Sequence, residues 1–309
     1  MQKQKSESRI AVYYELTKPK IWYLLVFTAF GATLTAANIY DIEVSPATWV
    51  LMLFSVAAGS AAANTLTNYH DRDIDAIMER TKGRPIPSKR IYPAEKARNF
   101  GLVLAGMSLL LAFGISFTTT LEQGVWATAF IAFGLLNNVL VYSYTLKRNS
   151  RTNIILGGLC GGAPPMIGWV AVTMSDLWTM GLAMAGLVFI WIPMHIWALT
   201  LHFKEDYNKV NIPMLTAVQS EKTSARTIAI STFVMVLFSI APVFLTTENG
   251  DPMIGSVYLW TAIVSGALMI ILSVWVIAKP KEKASWTLFK FSSPYLAVLF
   301  IALMVDSAL

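Results

Sequence analysis

The sequence predicts an all-α membrane protein, a bundle of nine transmembrane helices, and three observations support this fold class. Of its 309 residues, 55% are hydrophobic and only 14% are charged, whereas soluble domains carry roughly a quarter charged residues. Apolar runs of about 20 residues, long enough to cross a bilayer core, recur along the whole chain. All Lys and Arg residues lie before the first run or near the ends of later runs, on one side of the predicted bundle. Lipid offers no partners to free backbone groups and no alternating barrel pattern is present, so the spans should be helices.

The apolar runs divide the chain into nine predicted spans. In chain order they cover 21–39, 47–67, 99–118, 124–145, 153–174, 177–201, 227–246, 256–278 and 288–305. The fifth span contains Gly157 and Gly161, whose GxxxG spacing is compatible either with close helix packing or with a broken helix beside a cavity. We expect one integral-membrane domain over 1–309, which begins with a polar segment at 1–19.

The charged residues predict the orientation of the bundle. All 24 Lys and Arg, with 11 of the 18 Asp and Glu, lie in the N-terminal segment and in the loops after spans two, four, six and eight, so that side carries +13. The other seven acidic residues give the opposite side −7. The positive-inside rule places the N-terminus and the long loops 69–98 and 202–226 on the cytoplasmic side of a cell membrane. The net charge of +6 therefore reflects topology, and nucleic acid is not expected as a partner.

A polar stripe follows the second span. If its helix continues, Asn64, Asn68, Asp71 and Asp75 lie within about 60° of one another on one helix face. Two carboxylates one turn apart repel each other unless a cation lies between them. Oxygen ligands of this kind suit Mg²⁺, which usually keeps several waters and bridges to substrate phosphates. A helix end solvated by water and headgroups is the alternative, and the asparagines on the same face favour the metal site.

Basic residues near the stripe are candidates for binding a diphosphate, because Lys and Arg recognise phosphate oxygens through charge-assisted hydrogen bonds. They are Arg80, Lys82, Arg84, Lys147 and Arg148. For the last two, which close the fourth span, an ordinary anchoring charge at the membrane surface is the alternative.

A second stripe lies at the end of the sixth span. His202 and Asp206 follow His195 by seven and eleven residues, so a continuous helix would place all three on one face. An ionisable residue inside an apolar span is a functional candidate, and the alternative for both histidines is a neutral ring bonded to a neighbouring helix. Asp206 lies at about the depth of Asp71 and Asp75, so the two acidic stripes are predicted to face each other across a cavity.

A metal and a ring of basic side chains at the mouth of an apolar bundle suit a lipid diphosphate. Mg²⁺ and the cations would stabilise a leaving diphosphate so that an allylic C–O bond can ionise. The apolar helices would protect the carbocation from water. The residues thus predict prenyl transfer without identifying the acceptor. A transporter is a less favoured alternative, since the sequence has no convincing inverted repeat and His195 alone lies deep in the membrane. A purely structural or assembly role is the remaining alternative.

Several stretches resemble the UbiA superfamily of intramembrane prenyltransferases. Asp71-Arg-Asp-Ile-Asp75 followed by Arg80-Thr-Lys-Gly-Arg84-Pro is similar to the first acidic motif of the superfamily. Gly162-Ala-Pro-Pro and Ile212-Pro-Met-Leu are similar to its heme-modifying branch. The resemblance covers about 12–300 and implies nine transmembrane helices with acidic motifs after helices two and six.

The resemblance implies that the farnesyl group of farnesyl diphosphate is transferred to a vinyl group of heme b, giving heme O. Asp71, Asp75 and Asp206 would be the catalytic carboxylates and would bind Mg²⁺, while His195 and His202 would bind heme. A quinone-precursor ring or an archaeal glyceryl lipid is the alternative acceptor. Heme A synthase or the assembly of a terminal oxidase would be partners.

The sequence departs from the family pattern at both acidic motifs. The family often places Asn four residues before the first Asp, where this chain has Thr67. Asn64 and Asn68 flank that position, and either would complete the metal site. The second motif has Val210 where the quinone branch has a further acid.

Overall fold

The structure, a computed structural model, describes residues 8–247, 249–280 and 282–309. Nine helices of this described part are long and apolar enough to cross a membrane. They are α1 Pro19–Tyr40, α2 Pro46–His70, α3 Glu95–Phe117, α4 Leu121–Leu146, α5 Asn153–Val170, α6 Leu177–His202, α7 Glu221–Phe244, α8 Ser256–Ala278 and α9 Lys283–Asp306. The predicted all-α fold with nine spans is confirmed. Five of the charges used to predict orientation lie outside the described residues: Lys3, Lys5, Glu7, Glu248 and Lys281.

Some helices extend beyond the predicted spans by polar turns. α7 begins at Glu221, six residues before the predicted start, because Ser220 caps it and its Oγ accepts a hydrogen bond from the Thr223 backbone N–H at 3.2 Å. α3 begins at Glu95, four residues before its predicted start. Hydropathy does not detect such turns, because most of their residues are polar or charged.

α5 lies at the centre of the bundle and is the least regular span. Some 78% of its apolar window is buried, more than in any other described span. It begins as an α-helix, tightens to a 3₁₀-helix over Gly158–Gly162, and resumes as an α-helix at Ala163. A Cβ at Gly157 would lie 2.6 Å from the Tyr142 ring, and one at Gly161 would overlap Ile192. Close packing and an irregular helix, the two alternatives that the sequence leaves open, therefore occur together.

Gly168 allows α5 to approach the backbone of α1. An added Cβ would overlap the carbonyl oxygen of Ala29, and Thr33 Oγ1 donates to the Gly168 carbonyl at 2.9 Å across the same contact. A backbone carbonyl cannot move aside as a flexible side chain can. We therefore expect Gly168→Ala to lower the free energy of unfolding by about 1–3 kcal/mol, measured as a lower thermal unfolding temperature in detergent. Gly106→Ala on α3 is the control, because nothing lies within 4 Å of its added Cβ. Equal unfolding temperatures for the two variants would contradict this expectation.

The two ends of the bundle differ in their polar contacts. At one end, Asp306 accepts hydrogen bonds from the backbone N–H groups of Gly255 and Tyr258 at 2.5 and 3.2 Å, and Asn38 donates to the Met304 carbonyl at 3.3 Å. These bonds join α1, α8 and α9. We call the other end the basic end, and it holds four short helices: Arg9–Leu16, Arg72–Asp75, Lys204–Lys209 and Leu215–Val218.

Candidate active site

The first acidic segment continues α2 at the basic end. The spanning helix ends at His70, Asp71 caps it, and a short helix follows in which the Asp75 backbone N–H donates to the Asp71 carbonyl at 2.8 Å. This continuation buries Asp71 and Asp75, which are 1% and 3% exposed. The Asp73 side chain, on the other side of the turn, is 60% exposed. Two carboxylates one turn apart therefore point into the protein.

Each buried carboxylate is paired with a basic side chain from a different loop. Lys147 Nζ binds Oδ2 of Asp71, and Arg84 Nη1 donates to Oδ2 of Asp75 at 2.7 Å. The other oxygen of Asp71, Oδ1, is buried and has no hydrogen-bond partner in the described part of the chain. Each pair has one positive and one negative charge. Oδ1 of Asp71 remains as a buried acceptor for a ligand.

Lys18 is a further basic residue near these pairs, and it is not among the diphosphate-binding residues that the sequence predicts. It lies between the N-terminal short helix and α1, with a left-handed backbone at φ 53°. Its ammonium interacts electrostatically with Arg84, Asp75, Lys147 and Asp71. Burial, together with the neighbouring Arg84 guanidinium, holds the pKa of Lys18 well below its ordinary value.

The second acidic segment is separated from α6 by a break, so the predicted continuous stripe is wrong. α6 ends at His202, and Phe203 leaves the helical conformation with φ −103° and ψ 30° before the next short helix begins. Asp206 lies on that short helix, beyond the break, and is buried. Its Oδ2 accepts a hydrogen bond from the Arg80 backbone N–H at 3.1 Å.

The loop after α2 joins the two acidic segments. Arg80 contacts the second segment through its backbone and through Nη2, which lies 3.4 Å from the Tyr207 hydroxyl. Arg84, four residues further on, contacts the first segment. Lys82 lies between them, is 56% exposed and pairs with Glu79 at 2.5 Å. Arg80 and Arg84 therefore contact the acidic segments, whereas Lys82 contacts Glu79 and points away from them into solvent.

Arg148 fastens the loop after α4 to the first acidic segment. Its guanidinium donates to both oxygens of Asp73 at 2.7 and 2.8 Å and to the His70 carbonyl at 3.3 Å. These hydrogen bonds lower the pKa of Asp73 to about 2. Lys147 and Arg148, neighbours in sequence and both candidate diphosphate ligands, thus differ in position: Lys147 reaches the buried pair and Arg148 binds the exposed side.

Of the two asparagines on the stripe, Asn68 contacts Arg84, the partner of Asp75. Its Nδ2 donates to the Leu16 carbonyl at 2.8 Å, and its Oδ1 accepts from Arg84 Nη1 at 3.4 Å. Asn64, one turn deeper in the membrane, lines a mostly apolar cavity between α1, α2, α4 and α5. Thr67 faces α4 instead, with its Oγ1 donating to Asn138 Oδ1 at 3.1 Å.

Both histidines belong to a stacked aromatic column between α6 and α9. The rings follow the order Trp191, His195, Phe289, Trp286 and His202. Neighbouring centroids are 4.2, 4.3, 5.1 and 4.6 Å apart, with no more than 29° between planes. His195 Nδ1 also bonds Ser292 Oγ at 2.7 Å. The sequence does not indicate the two aromatic rings of α9, because they lie far along the chain from the histidines.

The donor set at the first acidic segment fits a divalent cation that binds together with a phosphate. Within the described residues, no three His, Cys, Asp or Glu side chains lie close enough to enclose a metal ion. Mg²⁺ sites that bind substrate phosphates use one or two carboxylates and complete the shell with water and phosphate oxygens. Asp71 and Asp75, with the unpartnered Oδ1 of Asp71, match this partial shell.

Comparisons with known proteins identify the family to which this chain belongs. The family model of the UbiA prenyltransferase family matches residues 24–302. Protoheme IX farnesyltransferase 2 of Cenarchaeum symbiosum is 73% identical over 100% of this chain and 99% of its own length. Protoheme IX farnesyltransferase of Thermoplasma volcanium is 39% identical, over 96% of this chain and 98% of its own.

Solved structures share the fold at lower sequence identity. A digeranylgeranylglyceryl phosphate synthase, 18% identical, aligns over 97% of this chain and 98% of its own with a TM-score of 0.73. A UbiA homolog from Aeropyrum pernix K1, 17% identical, aligns over 91% of this chain and 97% of its own with a TM-score of 0.67. With nine helices in its described part that are long and apolar enough to cross a membrane, and with a family match along most of its length, this chain is a multi-pass membrane protein that belongs to the UbiA prenyltransferase family.

Proposed function

We propose that this chain transfers the farnesyl group of farnesyl diphosphate to a vinyl group of heme b and so produces heme O. The observation that carries the proposal is the 73% identity, over the whole chain, to a protein named protoheme IX farnesyltransferase 2. The geometry of the basic end supports the diphosphate half of the reaction, and the aromatic column supports the heme half.

The buried charges at the basic end are suited to an allylic diphosphate. Asp71 and Asp75 would hold Mg²⁺, with Asn68 beside them, and Asp206 would hold a second ion. When bound, Mg²⁺ neutralises charge that develops on the leaving diphosphate. A UbiA homolog from Archaeoglobus fulgidus has been solved with DMAPP and Mg²⁺, which supports a metal bound together with a prenyl diphosphate in this fold. Lys147 and Arg84 would turn from the carboxylates to the phosphate oxygens.

The cavity beneath the acidic segment supports an apolar tail. Its wall along α2 runs from Asn64 to Val56, about 12 Å at 1.5 Å per residue. Ile21, Leu25 and Ile131 line the facing sides. A farnesyl chain lying here would have its C1 atom toward the basic end, and the apolar walls would keep water from the carbocation.

The transfer exchanges one C–O bond for one C–C bond and adds water. The C1–O bond of the donor breaks and its electron pair leaves with the diphosphate. C1 then joins the terminal vinyl carbon, and the inner vinyl carbon, now cationic, takes the oxygen of a water molecule and releases a proton. Heme b would lie beside the aromatic column, where His195 and His202 would contact it.

The charge distribution supports an active site on the cytoplasmic side of the cell membrane. The N-terminus would lie on the same side, and residues 1–309 would act as one domain. The heme O released there would pass to heme A synthase or to the assembly of a terminal oxidase.

The proposal is tested with the purified protein in lipid vesicles, supplied with farnesyl diphosphate, heme b and Mg²⁺. Heme O should appear in the extracted pigments, and removal of the metal with EDTA should abolish its formation, because the leaving diphosphate would lose the cation that neutralises its developing charge. The same vesicles should be supplied with 4-hydroxybenzoate or a glyceryl lipid in place of heme. A prenylated product from either one, with no heme O from heme b, would contradict the proposal.

A further inference from the structure

The imidazole of His195 is held on three sides within the aromatic column. The Trp191 and Phe289 rings stack on it with centroids 4.2 and 4.3 Å away and interplanar angles of 26° and 29°. Two rings stacked this closely cannot share one face, so both faces of the imidazole are covered. At its edge, the Nδ1 atom lies 2.7 Å from Ser292 Oγ on α9. The other nitrogen, Nε2, has no hydrogen-bond partner in the described part of the chain, and the residue is only half-buried.

The hydroxyl of Ser292 determines which nitrogen of His195 carries the proton. The hydroxyl donates to the Phe289 carbonyl at 2.7 Å, and a serine hydroxyl has only one hydrogen to donate. Its oxygen therefore accepts from the imidazole, which places the proton of the neutral ring on Nδ1 and leaves a lone pair on Nε2. The opposite tautomer would leave an N–H donor at Nε2 without an acceptor in the described structure, and such donors are rare in protein interiors.

A second hydrogen bond holds Ser292 against α6. Trp191 Nε1 donates to the Ser292 carbonyl at 2.8 Å, and the side chain of Ser292 is fully buried. Ser292 thus contacts two residues of α6 that lie one turn apart, Trp191 through its main chain and His195 through its side chain. Because the bond from Trp191 is to the backbone, it remains when the hydroxyl is removed. A substitution at Ser292 can therefore change the partner of Nδ1 without separating the two helices.

We propose that Ser292 is a positioning residue for heme b: it keeps the proton of His195 on Nδ1, so that Nε2 binds the heme iron as an axial ligand. Histidines that bind metals almost always donate their other N–H to a fixed acceptor, which orients the ring and strengthens the ligand. Ser292 supplies that acceptor from 97 residues away, and the two stacked rings leave only the ring edge open to the iron. This inference rests on the proposed function in requiring heme b as the substrate.

Three variants test the hydroxyl by titration of heme b into the full-length protein in vesicles, without farnesyl diphosphate. Ser292→Ala should raise the Kd for heme b roughly 10- to 100-fold, the range for removing the partner of a metal-binding histidine. Ser292→Thr keeps the hydroxyl and should recover most of the affinity. Ser293→Ala is the matched control, because the side chain of this neighbouring serine makes no hydrogen bond within the described part of the chain, and it should bind like the wild type. Thermal unfolding of each sample shows that it is folded.

The bond between iron and histidine gives a readout that a purely structural role of Ser292 would not change. Resonance Raman spectra of the bound ferrous heme should contain an iron–histidine stretching band. Its frequency should fall in Ser292→Ala, because an imidazole without an acceptor at Nδ1 is a weaker ligand, and should return in Ser292→Thr.

The outcomes separate this inference from the proposed function. A wild-type protein without the iron–histidine band, or an unchanged band in Ser292→Ala, would overturn the inference even if heme O is made. A band that shifts in Ser292→Ala, in a protein that makes no heme O, would instead sustain the inference and reject the proposed transfer.

Discussion

Asp71→Asn should lower the rate of heme O formation roughly 100- to 1,000-fold, the effect expected when a group that stabilises developing charge is removed. The substitution keeps the shape of the side chain, and its amide oxygen can still accept a bond from Lys147. It removes the negative charge. It also puts an amide NH2 group in the place of Oδ1, the buried oxygen that has no partner in the described structure. The protein should therefore fold and lose its metal-dependent step. Initial rates at saturating Mg²⁺, with thermal unfolding of the same sample, measure the two effects separately.

Glu79→Gln is the control for this experiment. Glu79 lies in the loop that follows the same segment, its side chain is 62% exposed, and its substitution removes the same charge. We expect its rate to stay within about threefold of the wild type, because surface substitutions away from such sites have small effects. A similar rate for Asp71→Asn would show that the carboxylate of Asp71 is not needed for the metal.

Lys147→Met should cost about 3–5 kcal/mol of stability, because it leaves the Asp71 carboxylate buried without a cation. Less folded protein and a lower unfolding temperature in detergent are the expected results. Adding Asp71→Asn in the same chain removes the unpaired charge, so the double variant should regain most of the stability and remain inactive. Lys82→Met, at an exposed lysine of the same end, should leave stability unchanged.

The double variant decides whether the two side chains act as a buried pair. Residues in contact show non-additive effects on stability, whereas independent sites add within about 0.5 kcal/mol. If the losses from Lys147→Met and Asp71→Asn simply add, the pair does not stabilise the fold in the way that the structure indicates. Recovery of activity in the double variant would contradict the metal site itself.

The fold could be predicted from the sequence because each span is a local feature. Twenty consecutive apolar residues indicate a membrane helix regardless of what packs against it. The starts of α3 and α7 are harder to predict because their first turns are polar, and at α7 the start also depends on capping by a single residue, Ser220. The break at Phe203 was missed because helical periodicity assumes that the helix continues.

The candidate site could be predicted only where its residues share a helix. Asp71 and Asp75 are one turn apart, so periodicity places them together. Lys147 binds Asp71 from 76 residues further along the chain, and a basic residue that binds a ligand looks in sequence like one that anchors a loop. Lys147 and Arg148 make this plain, because neither charge nor position along the chain distinguishes the buried lysine from the arginine on the exposed side.

The loop after α2 also limits how the chain can vary in length. Surface loops usually tolerate insertions and deletions. This loop, however, is bound to the acidic segments at three residues, Arg80, Thr81 and Arg84. Thr81 Oγ1 donates to the Asp75 carbonyl at 3.0 Å. One residue inserted between Arg80 and Arg84 would detach one acidic segment from the other, although every charge would remain. Homologous loops that keep the spacing of these three residues can differ freely elsewhere, and loops that change it must reach the second acidic segment by another route.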